Sequence, residues 1–215
     1  MKRAKERGKL AVEPDWALES PFWRSGHSPV AGIDEAGRGA LAGPVVAAAV
    51  ILPLGDYAFR DSKTLSAETR TRLAANIKDA ALAWGVGLAS AQEVDALNVL
   101  KATHLAAARA LCALPLRPAA LVTDYLKLVQ PQPVLAVAKG DARSFQIAAA
   151  SILAKTHRDA LMVAYADTFP QYSFEQHKGY GAPRHLAALR EHGPCTLHRR
   201  SFRPVAELAR AGTGG

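Results

Sequence analysis

Short apolar segments with the composition of β-strands alternate along this chain with longer stretches of helical periodicity. The predicted strands cover residues 30–37, 44–53, 84–90, 119–126 and 134–141, and the predicted helices cover residues 67–81, 91–114, 144–169 and 185–191. Alternation of this kind is typical of one α/β domain in which helices flank a sheet. The final predicted helix adds a helical C-terminal extension to that domain.

Local signals set several of the predicted boundaries. Ser66 is a suitable N-cap for the helix that follows it. Pro115 and Pro170 predict the ends of the two longest helices, because proline cannot continue a helix. After Pro170 the chain predicts a loop, from Gln171 to the helix that begins at His185.

The charge balance favours a polyanionic partner. The 215 residues contain 27 Lys and Arg against 19 Asp and Glu, which leaves a formal net charge of +8. Nucleic acid and an acidic membrane surface both fit this excess, and many basic proteins bind neither. The most apolar segment, residues 41–54, contains Gly43 and Pro44 and is too short to span a bilayer. We therefore expect no membrane partner.

The ends of the chain and the cysteines predict a cytoplasmic domain with simple boundaries. The basic N-terminus has no apolar stretch behind it, so it does not resemble a secretory signal. Only two cysteines occur, far apart, which is typical of a reducing compartment. We expect a basic, loosely ordered leader over 1–28, a main domain over 29–200 and a tail over 201–215. The basic "HRRSFRP" segment at residues 198–204, where the domain meets the tail, either contacts a duplex or is simply a solvated end.

Acidic residues follow three of the predicted strands. Asp34 and Glu35 are adjacent in "GIDEAGRG", Asp124 lies at the end of the apolar "ALV" in "LVTDYLKL", and Asp141 follows "AVAKG". Adjacent strand residues point to opposite faces, so Asp34 and Glu35 reach one site only if one turns with the chain or contributes its backbone carbonyl. Taken alone, "DEAGRG" is more typical of a surface turn with two solvated acids and an arginine. Three strands that each deliver a carboxylate at an end, however, can converge on a small volume.

Clustered carboxylates repel one another, and a hard divalent cation with oxygen ligands relieves that repulsion. No Cys and His constellation competes as a metal site, and Asp159 is interpreted as a helix-surface or pairing acid rather than as a replacement for Asp141. Mg²⁺ or Mn²⁺ bound by carboxylates in a basic protein indicates phosphodiester chemistry. Two such ions, about 3.5–4 Å apart, can activate a water and stabilise the leaving oxygen.

The residues of several motifs, and the order of those motifs along the chain, resemble the prokaryotic ribonuclease HII family, the type 2 ribonucleases H. The motifs are "GIDEAGRGALAGPVVAAAVIL", "DSKTLS", "NVLKAT", "KGDARSFQIAAASILAK" and "HKGYGAPRH", and together they run from about residue 30 to residue 198. The resemblance implies a ribonuclease H-like mixed β-sheet flanked by helices. It also implies a monomeric, metal-dependent endonuclease that cuts the RNA strand of RNA–DNA hybrids. Single ribonucleotides in duplex DNA are nicked on their 5′ side, which leaves 3′-hydroxyl and 5′-phosphate ends.

The same resemblance implies roles for individual residues. The four metal-binding acids of the family fall on Asp34, Glu35, Asp124 and Asp141. Gly37, Arg38 and Gly39 match the turn that reads the ribose 2′-hydroxyl, and Tyr180 matches the tyrosine that stacks on the next deoxyribose. This chain departs from the family in one respect: Tyr125 follows the third acid, where the family often has glycine.

Five further residues are of types that contact phosphate oxygens: Ser62, Lys63, Asn98, Lys139 and Ser144. For Lys63 a solvated surface lysine is an equally ordinary interpretation, and for Ser144 a helix N-cap. Two alternatives to the nuclease stay open at this point. One is a hybrid-binding module without catalysis, and the other is a different nuclease of the same fold, such as an integrase or a junction resolvase.

Overall fold

The strands form one mixed sheet in the computed structural model, which describes residues 13–57 and 66–211. The strands are β1 (Val30–Ala36), β2 (Val45–Ile51), β3 (Ala83–Ala89), β4 (Ala120–Asp124) and β5 (Val134–Val137). Their order in the sheet is β3-β2-β1-β4-β5. Strand β2 runs antiparallel to both β1 and β3, whereas β4 runs parallel to β1 and β5 runs parallel to β4. The predicted mixed α/β sheet is confirmed.

Helices cover both faces of this sheet. They are α1 (Ser20–Arg24), α2 (Ala67–Ala80), α3 (Ala91–Leu97), α4 (Val99–Cys112), α5 (Phe145–Thr168), α6 (Phe174–His177), α7 (Pro183–His192) and α8 (Arg203–Ala211). Because strand side chains alternate, Ile33 of β1 packs in one core cluster with Ala106 of α4. On the other face, Val50 of β2 packs with Ala149 of α5. The sheet is thus a buried layer between α4 and α5.

Helix α5 lies directly on β1, where it helps to form one wall of the site described below. A Cβ added to Gly32 would lie 2.2 Å from the backbone carbon of Gln146, so glycine is required for this close approach. Gln146 is itself buried, and its side chain donates to the Val30 carbonyl and accepts from the Leu52 amide. These contacts set the height of α5 above the sheet.

The helix predicted over residues 91–114 is wrong as a single element. The structure breaks it at Asn98, which has a φ of 71° and separates α3 from α4. With a ψ of 162° this positive-φ conformation lies outside the left-handed helical region, and the Asn98 side chain accepts hydrogen bonds from the amides of Leu100 and Lys101. The predicted N-cap at Ser66 is confirmed, since its side chain accepts from the Thr69 amide.

Described residues on both sides of the main domain pack against it. Within the expected leader, residues 13–28 pack on the domain: Leu18 and Glu19 are buried, and the Trp16 ring lies 5.2 Å from that of Phe145. The expected tail contains α8, whose Val205 is fully buried beside Leu189. The expected loop after Pro170 contains α6 and a short 3₁₀ turn. No helix within the described ranges combines the length and the apolar character needed to cross a membrane.

Candidate active site

Parallel pairing of β1 with β4 brings two acids side by side. Ile33 is opposite Thr123 in the register, so the next residues along the two strands are Asp34 and Asp124. Neighbouring strands lie about 4.8 Å apart, and β1 and β4 run in the same direction, so these two acids are neighbours across the sheet. Asp34 is followed by two more strand residues, so β1 ends at Ala36, one residue before the predicted end of this strand.

The third acid arrives through a tight turn after β5. Lys139 adopts a left-handed conformation with a φ of 56°, and residues 140–142 form a 3₁₀ turn that carries Asp141. The amide of Gly140 donates a 2.9 Å hydrogen bond to Oδ1 of Asp124. This bond ties the turn to the end of β4 and holds Asp141 next to the other two acids.

Asp34, Asp124 and Asp141 form a compact carboxylate cluster. One oxygen from each acid lies within 4.8 Å of the others, and Asp34 and Asp141 are buried. Burial raises the pKa of Asp34 well above its ordinary value, and the negative charges of Glu35 and Asp124 raise it further, against a hydrogen bond from Ser151. An oxygen-only donor set with this charge fits a hard divalent cation, which would favour the ionised carboxylates.

Glu35 lies apart from this cluster, although it was expected among four clustered acids. Its side chain follows the strand alternation, and Oε1 accepts a 2.9 Å hydrogen bond from the Arg38 guanidinium. Glu35 nevertheless borders the same cavity as the cluster. Of the two routes considered for the adjacent acids, a contribution by the backbone carbonyl therefore fits Glu35 better than a shared side-chain site.

A cavity of about 450 Å³ opens over the cluster, lined by Asp34, Glu35, Ala36, Gly37, Asp124, Ser151, Lys155 and Tyr180. Ser151 and Lys155 were not predicted as site residues. They are four residues apart on α5, so they share one face of that helix. The four-residue spacing within the "AAASILAK" block was the sequence signal that could have paired these two residues. Whether their shared helix face points toward the site depends on how α5 packs on the sheet.

The turn at residues 37–39 lies at the edge of this cavity. Gly37 has a φ of 92°, and an added Cβ would lie 1.9 Å from Nε of the buried Arg158. Any side chain at residue 37 would therefore be strained and would displace the arginine. Gly39 is exposed and has open space where a side chain would stand.

Tyr180 reaches the cavity from the segment between α6 and α7. The residue is 37% exposed, and the Arg158 guanidinium lies 5.2 Å from the centre of its ring. Nδ1 of His185 donates a 2.8 Å hydrogen bond to the Tyr180 carbonyl, and Nε2 of His185 lies 3.0 Å from Nε2 of His198. Because the amides of residues 41 and 42 also donate to the Gly179 carbonyl, this segment and the 37–43 loop form one structural unit.

The remaining predicted contacts have different outcomes. Lys139 is exposed beside Asp141, and the exposed Asn98 caps α4. Ser144 is fully buried, donates to Glu19 and accepts from the Ile147 amide, so the N-cap alternative describes it and a phosphate contact does not. Ser62 and Lys63 lie outside the described residues.

The structure also shows the surroundings of Asp159 and of Tyr125, the residue after the third acid. Asp159 pairs with Lys155 at 2.5 Å and with Arg70 at 3.4 Å, as expected for a pairing acid. Tyr125, the departure from the family pattern, has a φ of 59° and is 71% exposed. Glycine adopts that conformation without strain, which explains why it would suit the residue after the third acid.

Comparisons with known proteins agree with this architecture. A family model described as Ribonuclease HII matches residues 31–205. A Ribonuclease HII of Thermus thermophilus is 57% identical over 190 residues, which span 88% of this chain and 93% of that protein. The crystal structure of ribonuclease H2 from Pyrococcus horikoshii OT3 covers 86% of this chain and 99% of its own, with a TM-score of 0.74 and 24% identity.

A second solved structure is slightly more similar in sequence to this chain. The RNase HII of Archaeoglobus fulgidus, solved in a complex with PCNA, has a TM-score of 0.71 at 26% identity and covers 84% of this chain and 96% of its own. The family match extends from β1 to α8 and includes the whole carboxylate cluster. On these grounds the chain belongs to the ribonuclease HII family.

Proposed function

We propose that Asp34, Asp124 and Asp141 are the metal ligands of this type 2 ribonuclease H, and that Glu35 completes the site. The observation that carries the proposal is the approach of three carboxylates, from three separate elements, to within 4.8 Å. Because burial and like charge disfavour ionisation of Asp34, the cluster is costly unless a cation balances it. The donor set fits Mg²⁺ or Mn²⁺.

Bound divalent ions would supply an activated water and would stabilise the leaving oxygen of the phosphodiester. The chain itself supplies a rigid ligand set, because Asp34 lies on a paired strand and Asp124 accepts from the Gly140 amide. Lys155 adds positive charge at the edge of the cavity, where a phosphate would lie. Lys139, exposed next to Asp141, is suited to a further phosphate contact.

Substrate recognition is proposed for the turn of Gly37, Arg38 and Gly39 together with Tyr180. The exposed Gly39, with open space beside it, allows close approach of the turn to a sugar, and the 2′-hydroxyl is the group that distinguishes RNA from DNA. The Tyr180 ring borders the same cavity and can stack on the adjacent deoxyribose. The product of this arrangement is a nick 5′ of the ribonucleotide, with 3′-hydroxyl and 5′-phosphate ends.

Further properties follow from the family resemblance and belong to the same proposal. The enzyme cuts the RNA strand of RNA–DNA hybrids as well as single embedded ribonucleotides, works as a monomer and acts in the cytoplasm. Its net charge of +8 supports association with nucleic acid, because each neutralised phosphate releases counterions.

The decisive experiment is cleavage of a DNA duplex that contains one ribonucleotide, with and without Mg²⁺ or Mn²⁺. We expect a metal-dependent nick on the 5′ side of the ribonucleotide and no cleavage of the same duplex made of DNA alone. Asp34→Asn should abolish the nick, whereas Asp167→Asn, at an exposed acid on α5 outside the cluster, should not. Metal-independent binding without any nick would instead favour a binding module.

A further inference from the structure

Arg199 belongs to the "HRRSFRP" segment, which was expected either to contact a duplex or to be a solvated end, but the structure buries it completely beneath the turn of residues 37–39. Its Nη2 donates to the Gly37 carbonyl at 2.7 Å and its Nη1 donates to the Arg38 carbonyl at 2.8 Å. Nε and Nη2 also donate to the Gly43 carbonyl, at 3.0 and 2.9 Å. All of these bonds go to one loop, and none of them goes to a carboxylate.

These bonds determine where the amides of the turn point. In a trans peptide the C=O and N–H groups point in opposite directions. Since Arg199 holds the carbonyls of Gly37 and Arg38 inward, the amides of Arg38 and Gly39 point away from it. Among the described residues those two amides have no hydrogen-bond acceptor, and open space adjoins Gly39.

We propose that Arg199 is a positioning residue for sugar discrimination, which acts by orienting the amides of Arg38 and Gly39 toward the ribose. This inference rests on the proposed role of the turn in reading the 2′-hydroxyl. Arginine suits the task because its planar fork reaches several carbonyls at once, which the single ammonium group of lysine cannot do. Burial and the charge of Arg158 lower the pKa of Arg199 to about 9, so the guanidinium is still charged at neutral pH.

A neighbouring arginine supports the same loop differently. Arg158 donates to the carbonyls of Ala42, Pro44 and Lys178, so it holds the later part of the loop and the segment before Tyr180. Of the two arginines, it is Arg199 that donates to the carbonyls of Gly37 and Arg38, the two peptide groups whose amides face outward. Burial of two positive charges, those of Arg158 and Arg199, beside each other is costly. The hydrogen bonds of the two arginines maintain the shape of the 37–43 loop.

The test is Arg199→Lys in an Asp34→Asn background, which we expect to bind duplexes without cutting them. The measured quantity is the ratio of the dissociation constant for an all-DNA duplex to that for the same duplex with one ribonucleotide. We expect this ratio to fall about tenfold or more, with unchanged affinity for the all-DNA duplex. Ile51→Val, a core change at the far end of β2, should leave the ratio unchanged despite some loss of stability.

An unchanged ratio in a folded Arg199→Lys protein would overturn the inference and leave the proposed function intact. Absence of any preference in the parent would instead defeat the proposed role of the turn, and the inference with it. If the variant does not fold, the amide NMR signals of Arg38 and Gly39 in the Asp34→Asn protein decide. They should shift with the ribonucleotide duplex and not with all-DNA duplex; equal shifts with both would refute the positioning role.

Discussion

Replacement of Asp34 by asparagine should stabilise the metal-free protein while it destroys the activity. The change keeps the shape of the side chain and the oxygen that accepts from the Glu35 amide at 2.7 Å. It removes one negative charge from a cluster whose members lie within 4.8 Å of one another. A residue whose main role is structural would show the opposite effect, because its replacement would destabilise the fold.

The expected gain can be estimated from the geometry. Two unit charges 4.8 Å apart repel by about 3.5 kcal/mol at an effective dielectric constant of about 20. Asp34 repels both Asp124 and Asp141, but solvent at Asp124 screens the charge, and the raised pKa of Asp34 already relieves part of it. We therefore expect the free energy of unfolding to rise by about 2 kcal/mol in the variant near neutral pH.

The pH dependence of this gain has a definite sign. The pKa of Asp34 is higher in the folded chain than in the unfolded chain, so the folded state is favoured while the carboxyl is protonated. That contribution is lost as the pH rises through the folded pKa. The advantage of the variant should therefore be largest in alkaline buffer and should disappear in acid, below the ordinary pKa of aspartate.

Urea unfolding in EDTA measures this difference, and its repetition with Mg²⁺ or Mn²⁺ measures the metal-linked part. The parent should gain stability from the metal, because a ligand that binds only the folded state stabilises it. The Asp34→Asn protein should gain much less, and Asp167→Asn should behave like the parent. An Asp34→Asn protein that is less stable than the parent in EDTA, yet equally stabilised by metal, would refute the reasoning.

Two further predictions concern Glu19 and Tyr180. Burial raises the pKa of Glu19 to about 7, so the stability that its protonated form contributes is lost between about pH 4.5 and 7. Urea unfolding should therefore show the Glu19→Gln protein gaining about 2–3 kcal/mol over the parent from about pH 5 to 8. A difference that stays constant with pH would contradict a buried acid. Tyr180→Ala should lower kcat/KM for a single-ribonucleotide duplex about tenfold, whereas Tyr180→Phe should stay near the parent because stacking needs only the ring. Equal rates in all three proteins would exclude stacking.

Much of the local structure follows from residues that are close in sequence. The Ser66 cap, the strand character of residues 45–51 and the long helix after Ser144 depend on hydrogen bonds, branched side chains and periodicity within each segment. The break at Asn98 was missed because its signal, a capping side chain with positive φ, lies within an otherwise helical pattern. The helix α8 was missed because its stability comes from packing of Val205 on the domain.

The sequence by itself determined the alternation of strands and helices, the placement of Asp34, Asp124 and Asp141 near strand ends, and the motifs of the family. Only the tertiary structure decided that these acids meet, because the pairing of β1 with β4 joins segments about 90 residues apart. It also left Glu35 outside the three-acid cluster and paired it with Arg38, placed Ser151 and Lys155 at the cavity, and buried Arg199 under the turn. The physical reason is that the direction of a side chain depends on strand alternation and helix packing against distant residues, which periodicity along the chain does not contain.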